Sequence, residues 1–291
     1  MPVLVLLLAA QSGFSQLRPF GAIYYQNQYL ANPAFAGIDK GLTLNAGYLR
    51  QLATVPGAPK AGYLTGTYQV NDKMGAGISI FNEEAGLFVQ TRVAVTYGYH
   101  IVFNEERERK LHLGLSAGFR KRRLEMDKVN GDPNDPTVNN YNDRPLYADA
   151  DFGAVFTEKR LTIQAALPNM RMFFENIEDD EAGLPTFFTA VSYTFKSGAS
   201  QSVGIEPKVC YRGVTGYNNI VDAGVNVTFL EETLNGFIMY LSTRSVSIGA
   251  GLKVASKFRV TGTYITGAKG MGIYARDNFE FGLQVLFNSK K

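Results

Sequence analysis

The sequence lacks several features that define other classes of protein. It contains no Trp and a single Cys, Cys210. Beyond its first residues it has no run of about eighteen apolar residues, the length that a membrane-spanning helix needs. The lone Cys excludes a disulfide scaffold, and the missing apolar runs exclude a bundle of membrane helices. A net charge of +3 gives no indication of nucleic acid binding.

The composition instead favours an ordered β protein at a membrane. The 291 residues include 30 Gly, 20 Phe and 16 Tyr, whereas only 19% are charged. Abundant aromatic and β-branched residues argue against disorder. A surplus of Gly and aromatic residues over charged ones is typical of strands that lie between lipid and a polar interior.

The N-terminus predicts a secretory signal peptide over residues 1–15. A short apolar run, residues 2–10, is followed by small and polar residues, with Gly13 and Ser15 placed for cleavage before Gln16. No Lys or Arg precedes the run, and the alternative is a buried first strand. With a cleaved signal peptide, the mature protein lies outside the cytoplasm.

From residue 41 onward the hydrophobic pattern has a period of two. Val93, Val95 and Tyr97, for example, share one face of a strand, whereas Thr96 and Gly98 share the other. The pattern predicts an all-β, closed, antiparallel transmembrane barrel of about 14 strands over residues 41–291, with short periplasmic turns and longer external loops. The predicted strands are 42–50, 60–70, 74–81, 88–103, 111–121, 147–156, 161–167, 184–196, 202–212, 219–230, 235–241, 245–254, 258–266 and 278–287.

Two alternatives concern this architecture. A soluble two-sheet sandwich would use the same alternation with its apolar faces turned inward. Residues 16–40 contain two Pro residues and many Tyr, Asn and Gln, and we expect this N-terminal segment to fold into or across the barrel mouth. The alternative is a loose periplasmic tail. Pro207, which cannot donate a backbone hydrogen bond, predicts a bulge in its strand.

The segment before the first strand carries a recognisable motif. Its core is Asn32, Pro33, Ala34, Phe35, Ala36 and Gly37, and the first strand ends with Tyr48, Leu49, Arg50 and Gln51. Together these residues resemble the signature of the PorP/SprF family of type IX secretion outer-membrane proteins of Bacteroidetes. Leu52 stands where the family usually has Trp.

The resemblance implies a function as well as a fold. It implies a non-enzymatic barrel, without cofactor, that works with the other components of the type IX secretion and gliding apparatus. The barrel would bind or anchor a secreted protein at the cell surface through that protein's type B C-terminal domain. Outer-membrane lipid surrounds such a barrel, and nucleic acid plays no part.

Two further groups of residues are candidate functional sites. In the last predicted strand, the spacing of an apolar stripe with a final aromatic resembles the signal read by the barrel-assembly machinery, carried by Gly282, Leu283, Val285 and Phe287. In a predicted external loop, apolar side chains suggest a protein partner or a lipid-facing rim. These partner-binding candidates are Met170, Met172, Phe173 and Phe174. The alternative is that this loop folds inward and buries them.

The predicted lumen is polar and carries charges of both signs. We expect internal ion pairs rather than a pore of one sign, among Arg92, Arg120, Asp149, Asp151, Glu206, Lys208, Asp222, Lys253 and Glu280. His100 and His112 fall at similar heights on neighbouring strands, but without a third ligand we predict no metal site. Rival functions are a porin or transporter for small or hydrophobic solutes, and a lipid-acting barrel enzyme, for which a catalytic cluster is missing.

Overall fold

The computed structural model describes residues 20–51, 57–125, 141–174, 185–197, 202–214, 218–255, 257–266 and 277–287. The predicted signal peptide lies outside these ranges. A one-turn helix, α1 (Ala22–Tyr25), and two 3-10 turns, Gln28–Leu30 and Pro33–Phe35, precede the strands, and a further 3-10 turn is Met170–Phe173. The strands are β1 Leu42–Arg50, β2 Lys60–Asn71, β3 Met74–Ala85, β4 Phe88–Asn104, β5 Arg109–Leu124, β6 Tyr147–Glu158, β7 Leu161–Leu167, β8 Pro185–Tyr193, β9 Phe195–Ser197, β10 Val203–Val214, β11 Ile220–Phe229, β12 Leu234–Leu241, β13 Ser245–Val254, β14 Phe258–Thr266 and β15 Asp277–Phe287.

The strands form one closed antiparallel ring. Each strand pairs with its neighbours in sequence, β15 pairs with β1, and pairing of β10 with β11 completes the circle. β8 and β9 both pair with β10 in one continuous register, so they are a single barrel strand interrupted at Thr194. The barrel therefore has 14 strands. Every strand predicted from the alternating pattern is present, with bounds that differ by at most four residues.

Burial in this barrel is inverted relative to a water-soluble protein. Large apolar side chains point outward, as Val95 and Phe281 do with 59% and 62% of their surfaces exposed. Polar side chains point inward, and Thr65 and Asp222 are fully buried. The alternative of a soluble sandwich with apolar faces inward is therefore wrong. None of the helices in the described ranges is long and apolar enough to cross a bilayer.

The two ends of the barrel differ in their connections. At one end the turns are short, with two residues between β2 and β3 and two between β6 and β7. At the other end the connections after β5 and β7 span 22 and 17 residues, although two turns at that end are short. Short turns face the periplasm in bacterial outer-membrane barrels. We therefore name the end with short turns the periplasmic end, where β1 begins and β15 finishes, and the opposite end the outer end.

The predicted bulge at Pro207 is absent. Pro207 lies opposite Val225 of β11 in an unbroken register from Gly204 to Arg212. The irregularity appears instead in the neighbouring strand, which is interrupted at Thr194 between β8 and β9. The register of the barrel thus continues past a residue that cannot donate a backbone hydrogen bond.

A charge on the outward face tests the inverted burial. Replacing Val95, in the middle of β4, with Arg should destabilise the barrel in lipid by about 2–4 kcal/mol, because the guanidinium would face hydrocarbon. The same change at the exposed Phe103, near the periplasmic end of β4, should cost less. Urea unfolding in lipid vesicles measures both values. Equal and small effects at the two positions would mean that β4 does not face lipid.

Candidate functional site: the lumen plug and the outer rim

Residues 20–40, named the plug here, lie inside the barrel except for Asp39 and Lys40, which are exposed. The sequence of this segment favours short turns rather than a strand or a long helix. Pro33 stands at the first position of its 3-10 turn, where a missing N–H is harmless, and the Asn32 side chain caps the turn by accepting from the Ala34 N–H at 3.0 Å. Asn32 and Ala34 are both completely buried. Short turns let this segment follow the curved interior of the barrel wall.

The plug bonds to strands around the whole circumference. The Tyr24 hydroxyl donates to Asp222 of β11 at 2.7 Å, and the Asn27 amide donates to Thr65 of β2 at 3.0 Å. The Asn32 amide donates to two wall carbonyls, those of Ala154 on β6 and Ala165 on β7, at 3.3 and 3.2 Å. These contacts tie the segment to strands that are far apart in the ring.

Two buried tyrosines of the plug act only as neutral hydroxyls. Burial raises the pKa of the Tyr29 phenol to about 12, and its hydroxyl lies 2.6 Å from Thr96 Oγ1. Burial likewise raises the pKa of Tyr24 well above its usual value, against the lowering effect of Arg212. Both phenols therefore remain protonated at neutral pH and hold the plug through hydrogen bonds rather than charge.

The signature residues 32–37 lie on a row of four glycines, named the glycine lane here. Gly75 of β3 is paired with Gly98 of β4, Gly98 with Gly114 of β5, and Gly114 with Gly153 of β6. The four positions form a continuous line across four neighbouring strands. All four face the lumen, because a Cβ atom at any of them would run into the plug.

The lane allows the plug backbone to approach the wall closely. A Cβ at Gly98 would lie 2.5 Å from the Ala36 carbonyl oxygen, and a Cβ at Gly75 would meet the same carbonyl. At Gly114 it would meet the backbone between Pro33 and Ala34. Only glycine leaves room for a second backbone at this distance. The signature and the lane are therefore complementary surfaces of one chain.

The second part of the signature lies at the outer end of β1. Tyr48 and Arg50 point outward, whereas the intervening Leu49 is buried in the cluster that holds Phe20 and Tyr24 of the plug. The Gln51 N–H donates to the Pro59 carbonyl at 2.9 Å and closes the base of the β1–β2 connection. This part of the motif contacts the plug through Leu49, while its polar residues shape the rim.

Six of the nine charges that the sequence predicts inside the barrel pair with each other, whereas Glu280 accepts from backbone N–H groups of the plug. Arg92 contacts Asp151 at 2.6 Å and Arg120 contacts Asp149 at 3.7 Å. On the opposite side of the lumen, Lys208 contacts Glu206 at 3.6 Å, and Asp222 pairs at 2.8 Å with Arg212, a residue that the sequence analysis did not single out. Paired charges of both signs fill the lumen instead of forming a ring of one sign.

The two histidines lie beside each other, as their positions predict. His100 and His112 are paired across β4 and β5, with their Nδ1 atoms 2.9 Å apart. The described residues contain no group of three or more His, Cys, Asp or Glu side chains that could hold a metal ion. Cys210 is buried in the wall. The histidine pair serves as an internal hydrogen bond near the periplasmic end.

The connection after β7 is anchored to the barrel at the outer rim. The Asn169 N–H donates to Asp151 at 3.0 Å, and its side-chain oxygen accepts from Arg120. The Arg171 N–H donates to Asp149 at 3.1 Å. Asn169 adopts a left-handed backbone, φ 54°, which turns the chain back over the rim. The carboxylates of β6 thus hold the start of the loop through its backbone.

The anchored loop presents aromatic side chains at the rim. Phe173 is 56% exposed and Phe174 is 80% exposed, so for these two the alternative of an inward, buried loop is wrong. Met170 is half-buried, and the side chain of Met172 lies outside the described part of the chain. The structure brings together Phe173 and Phe174 on a fixed base.

The last strand carries its apolar stripe on the outside. Leu283 and Phe287 are exposed, and Phe287 lies opposite Leu42 at the seam where β15 joins β1. Val285 is half-buried, and Gly282 lies close to Thr261 of β14. This arrangement places the four predicted assembly residues in the strand that closes the barrel, and their role as an assembly signal stays a prediction.

The fold and the plug define an outer-membrane β-barrel with a filled lumen, and solved structures share its architecture. The outer membrane protein Omp33 of Acinetobacter baumannii has a TM-score of 0.50 at 7% identity, covering 86% of this chain and 100% of that chain. The toluene transporter TbuX of Ralstonia pickettii has a TM-score of 0.53 at 9% identity, covering 89% and 93%. The monoaromatic hydrocarbon channel CymD has a TM-score of 0.53 at 8% identity, covering 90% and 93%. At such identities the likeness shows the fold alone.

The sequence identifies the family. The family described as type IX secretion system membrane protein PorP/SprF matches residues 14–288, and the chain belongs to it. A comparison with curated proteins gives no match. Fold and family together place the protein in the outer membrane as a component of type IX secretion.

Substitution within the glycine lane tests the fit between plug and wall. Gly114→Ala should destabilise the barrel by about 1–3 kcal/mol, because the new Cβ meets the plug backbone rather than a movable side chain. Gly262→Ala, in β14, is the matched control, since nothing lies within 4 Å of a Cβ there. Urea unfolding in detergent micelles measures both. Equal losses of stability in the two variants would mean that the glycine lane does not set the fit between plug and wall.

Proposed function

We propose that this protein is a non-enzymatic scaffold of the type IX secretion and gliding system that holds a secreted protein at the cell surface through its type B C-terminal domain. Membership of the PorP/SprF family supports a role in secretion. The observation that carries the scaffold role is the plugged lumen, because a barrel filled by its own chain offers its rim rather than its interior to a large partner. The other secretion components and the surrounding lipid are its further partners.

The loop after β7 is the partner-binding element in this proposal. Exposed aromatic side chains on rigid supports are the usual energetic centres of protein interfaces. Phe173 and Phe174 are exposed, whereas the backbone beneath them is bonded to Asp149 and Asp151. Because the loop base is already fixed, binding costs less ordering entropy than a free loop would require. Met170 and Met172 belong to the same candidate surface.

A transporter is the second candidate function. The solved structures with a similar fold include a toluene transporter and a monoaromatic hydrocarbon channel. The wall of this lumen is polar and charged, which suits an apolar solute poorly. Reconstitution into planar bilayers separates the two functions, since the scaffold should give no stable current and no flux of aromatic hydrocarbons.

Replacement of the rim aromatics should remove the partner and leave the barrel intact. We expect the double change Phe173→Ser and Phe174→Ser to lower recovery of the secreted protein from detergent extracts at least about tenfold, since hot-spot residues each contribute 2 kcal/mol or more. Phe103→Ser is the control, because Phe103 is 59% exposed, close to the value for Phe173, but lies at the periplasmic end. Quantitative pull-down of a tagged type B domain measures the effect. Unchanged recovery with a folded double variant removes this loop from the mechanism.

A further inference from the structure

The plug is attached to the wall in two different ways along its length. Residues 32–37 fit the glycine lane with their backbone, and the Asn32 side chain uses its oxygen and its amide group at once. Residues 20–28 are held by individual charged or polar side chains of the wall, and Phe20 and Tyr24 also pack in the buried apolar cluster around Leu49. Glu280 accepts from the N–H groups of Gly21 and Ala22 at 2.5 and 3.2 Å. Lys208 donates to the Tyr24 carbonyl at 2.5 Å.

Two of the three wall charges that hold residues 20–28 keep partners of their own. Asp222, which accepts from Tyr24, is paired with Arg212 at 2.8 Å. Lys208 lies 3.6 Å from Glu206. If residues 20–28 left the wall, Asp222 and Lys208 would remain paired, and the entering water would replace the N–H groups that now bond to Glu280.

Buried polar atoms without hydrogen bonds occur in the first half of the plug and in the wall that it contacts. Both polar atoms of the Gln26 side-chain amide, Nη2 of Arg212 and Oδ1 of Asp222 are buried and have no hydrogen-bond partner among the described residues. Buried polar atoms without partners lower the stability of the state that contains them. By contrast, the side-chain oxygen and amide of Asn32 are both bonded. The unbonded atoms lower the stability of the packed first half, whereas the apolar cluster around Phe20 and Tyr24 raises it.

The two halves also lie against different parts of the ring. The glycine lane covers only β3 to β6, on one side of the barrel. The charged contacts of residues 20–28 lie on β10, β11 and β15, on the other side, whereas Asn27 and Gln28 also bond to β2 and β7. Movement of the first half alone would therefore clear the wall formed by β10 to β15 while the signature stays in place.

We propose that the plug is a hinged gate, in which the signature on the glycine lane is the fixed anchor and residues 20–28 swing away from Glu280, Asp222 and Lys208 to open a path along β10 to β15. The path is lined by polar residues such as Asn226, Asn235 and Ser247. It suits small hydrophilic solutes and not hydrocarbons. The gate goes beyond the proposed scaffold role and does not depend on the rim aromatics.

Hydrogen exchange of the unmodified protein in lipid nanodiscs tests the hinge. We expect the backbone amides of residues 20–28 to exchange at least about tenfold faster than those of residues 32–37, because local opening should expose only the first half. Protection of residues 20–28 equal to or above that of the signature overturns the proposal.

Conductance of a weakened gate tests the path. The double change Tyr24→Phe and Glu280→Gln removes the hydrogen bond from Tyr24 to Asp222 and weakens the hydrogen bonds from the Gly21 and Ala22 N–H groups to the side chain at position 280. We expect this variant to produce stable current steps in KCl. The control pair, Tyr240→Phe and Glu84→Gln, makes the same chemical changes at residues that are not bonded to the plug and should remain closed. Heat-modifiable mobility on gels verifies that each variant is folded. A folded gate variant without current overturns the proposal.

A disulfide supplies the reverse experiment. A Cβ at Gly21 would lie 3.0 Å from Cγ2 of Thr263, so cysteines at both positions, in a Cys210→Ala background, can join the plug to β14. Oxidation should abolish the current of the gate variant, and reduction should restore it. Current that persists in the oxidised protein overturns the proposal, whereas loss of partner binding in the rim variants leaves it unaffected.

Discussion

The structure depends on one constraint, which is that hydrocarbon offers no hydrogen bonds to a backbone. Each N–H and C=O within the bilayer must find a partner inside the protein, and closure of the sheet by β10 with β11 leaves no strand edge unpaired. For the same reason, apolar side chains such as Val95 and Phe281 face the hydrocarbon, and polar side chains face the interior. Lipid therefore stabilises the outer face of the barrel. The polar groups of its interior need hydrogen-bond or ion-pair partners.

The plug and the ion pairs together supply these partners. A lumen lined by Asp222, Lys208 and Glu280 is favourable only if these groups are hydrated or paired. The chain pairs some of them with each other and bonds the rest to its own backbone near Tyr24 and Gly21. The glycine lane brings the backbones of plug and wall together, because only glycine permits such an approach. A filled interior leaves the outer rim as the surface for a large partner.

The sequence predicted the barrel well because the alternation that indicates a strand can be read within each strand separately. A period of two is visible within any strand, so the strands, their inward and outward faces and the pairing of His100 with His112 followed from it. The glycine lane did not follow from the sequence, although Gly98 lies on a predicted polar face. Its meaning depends on cross-strand register, which sets Gly75 and Gly114 beside Gly98. The anchoring of the β7–β8 loop was missed for the same reason, since it joins residues from separate strands.

Accessibility along β4 tests the central claim, that lipid surrounds the wall and the chain itself fills the lumen. Single cysteines at positions 93–97 in a Cys210→Ala background can be spin-labelled in lipid vesicles and exposed to oxygen, which partitions into lipid, and to a water-soluble relaxation reagent. We expect strong oxygen contact at positions 93, 95 and 97, and contact with neither reagent at 94 and 96. Free access of the water-soluble reagent to positions 94 and 96, or the absence of alternation, would contradict it.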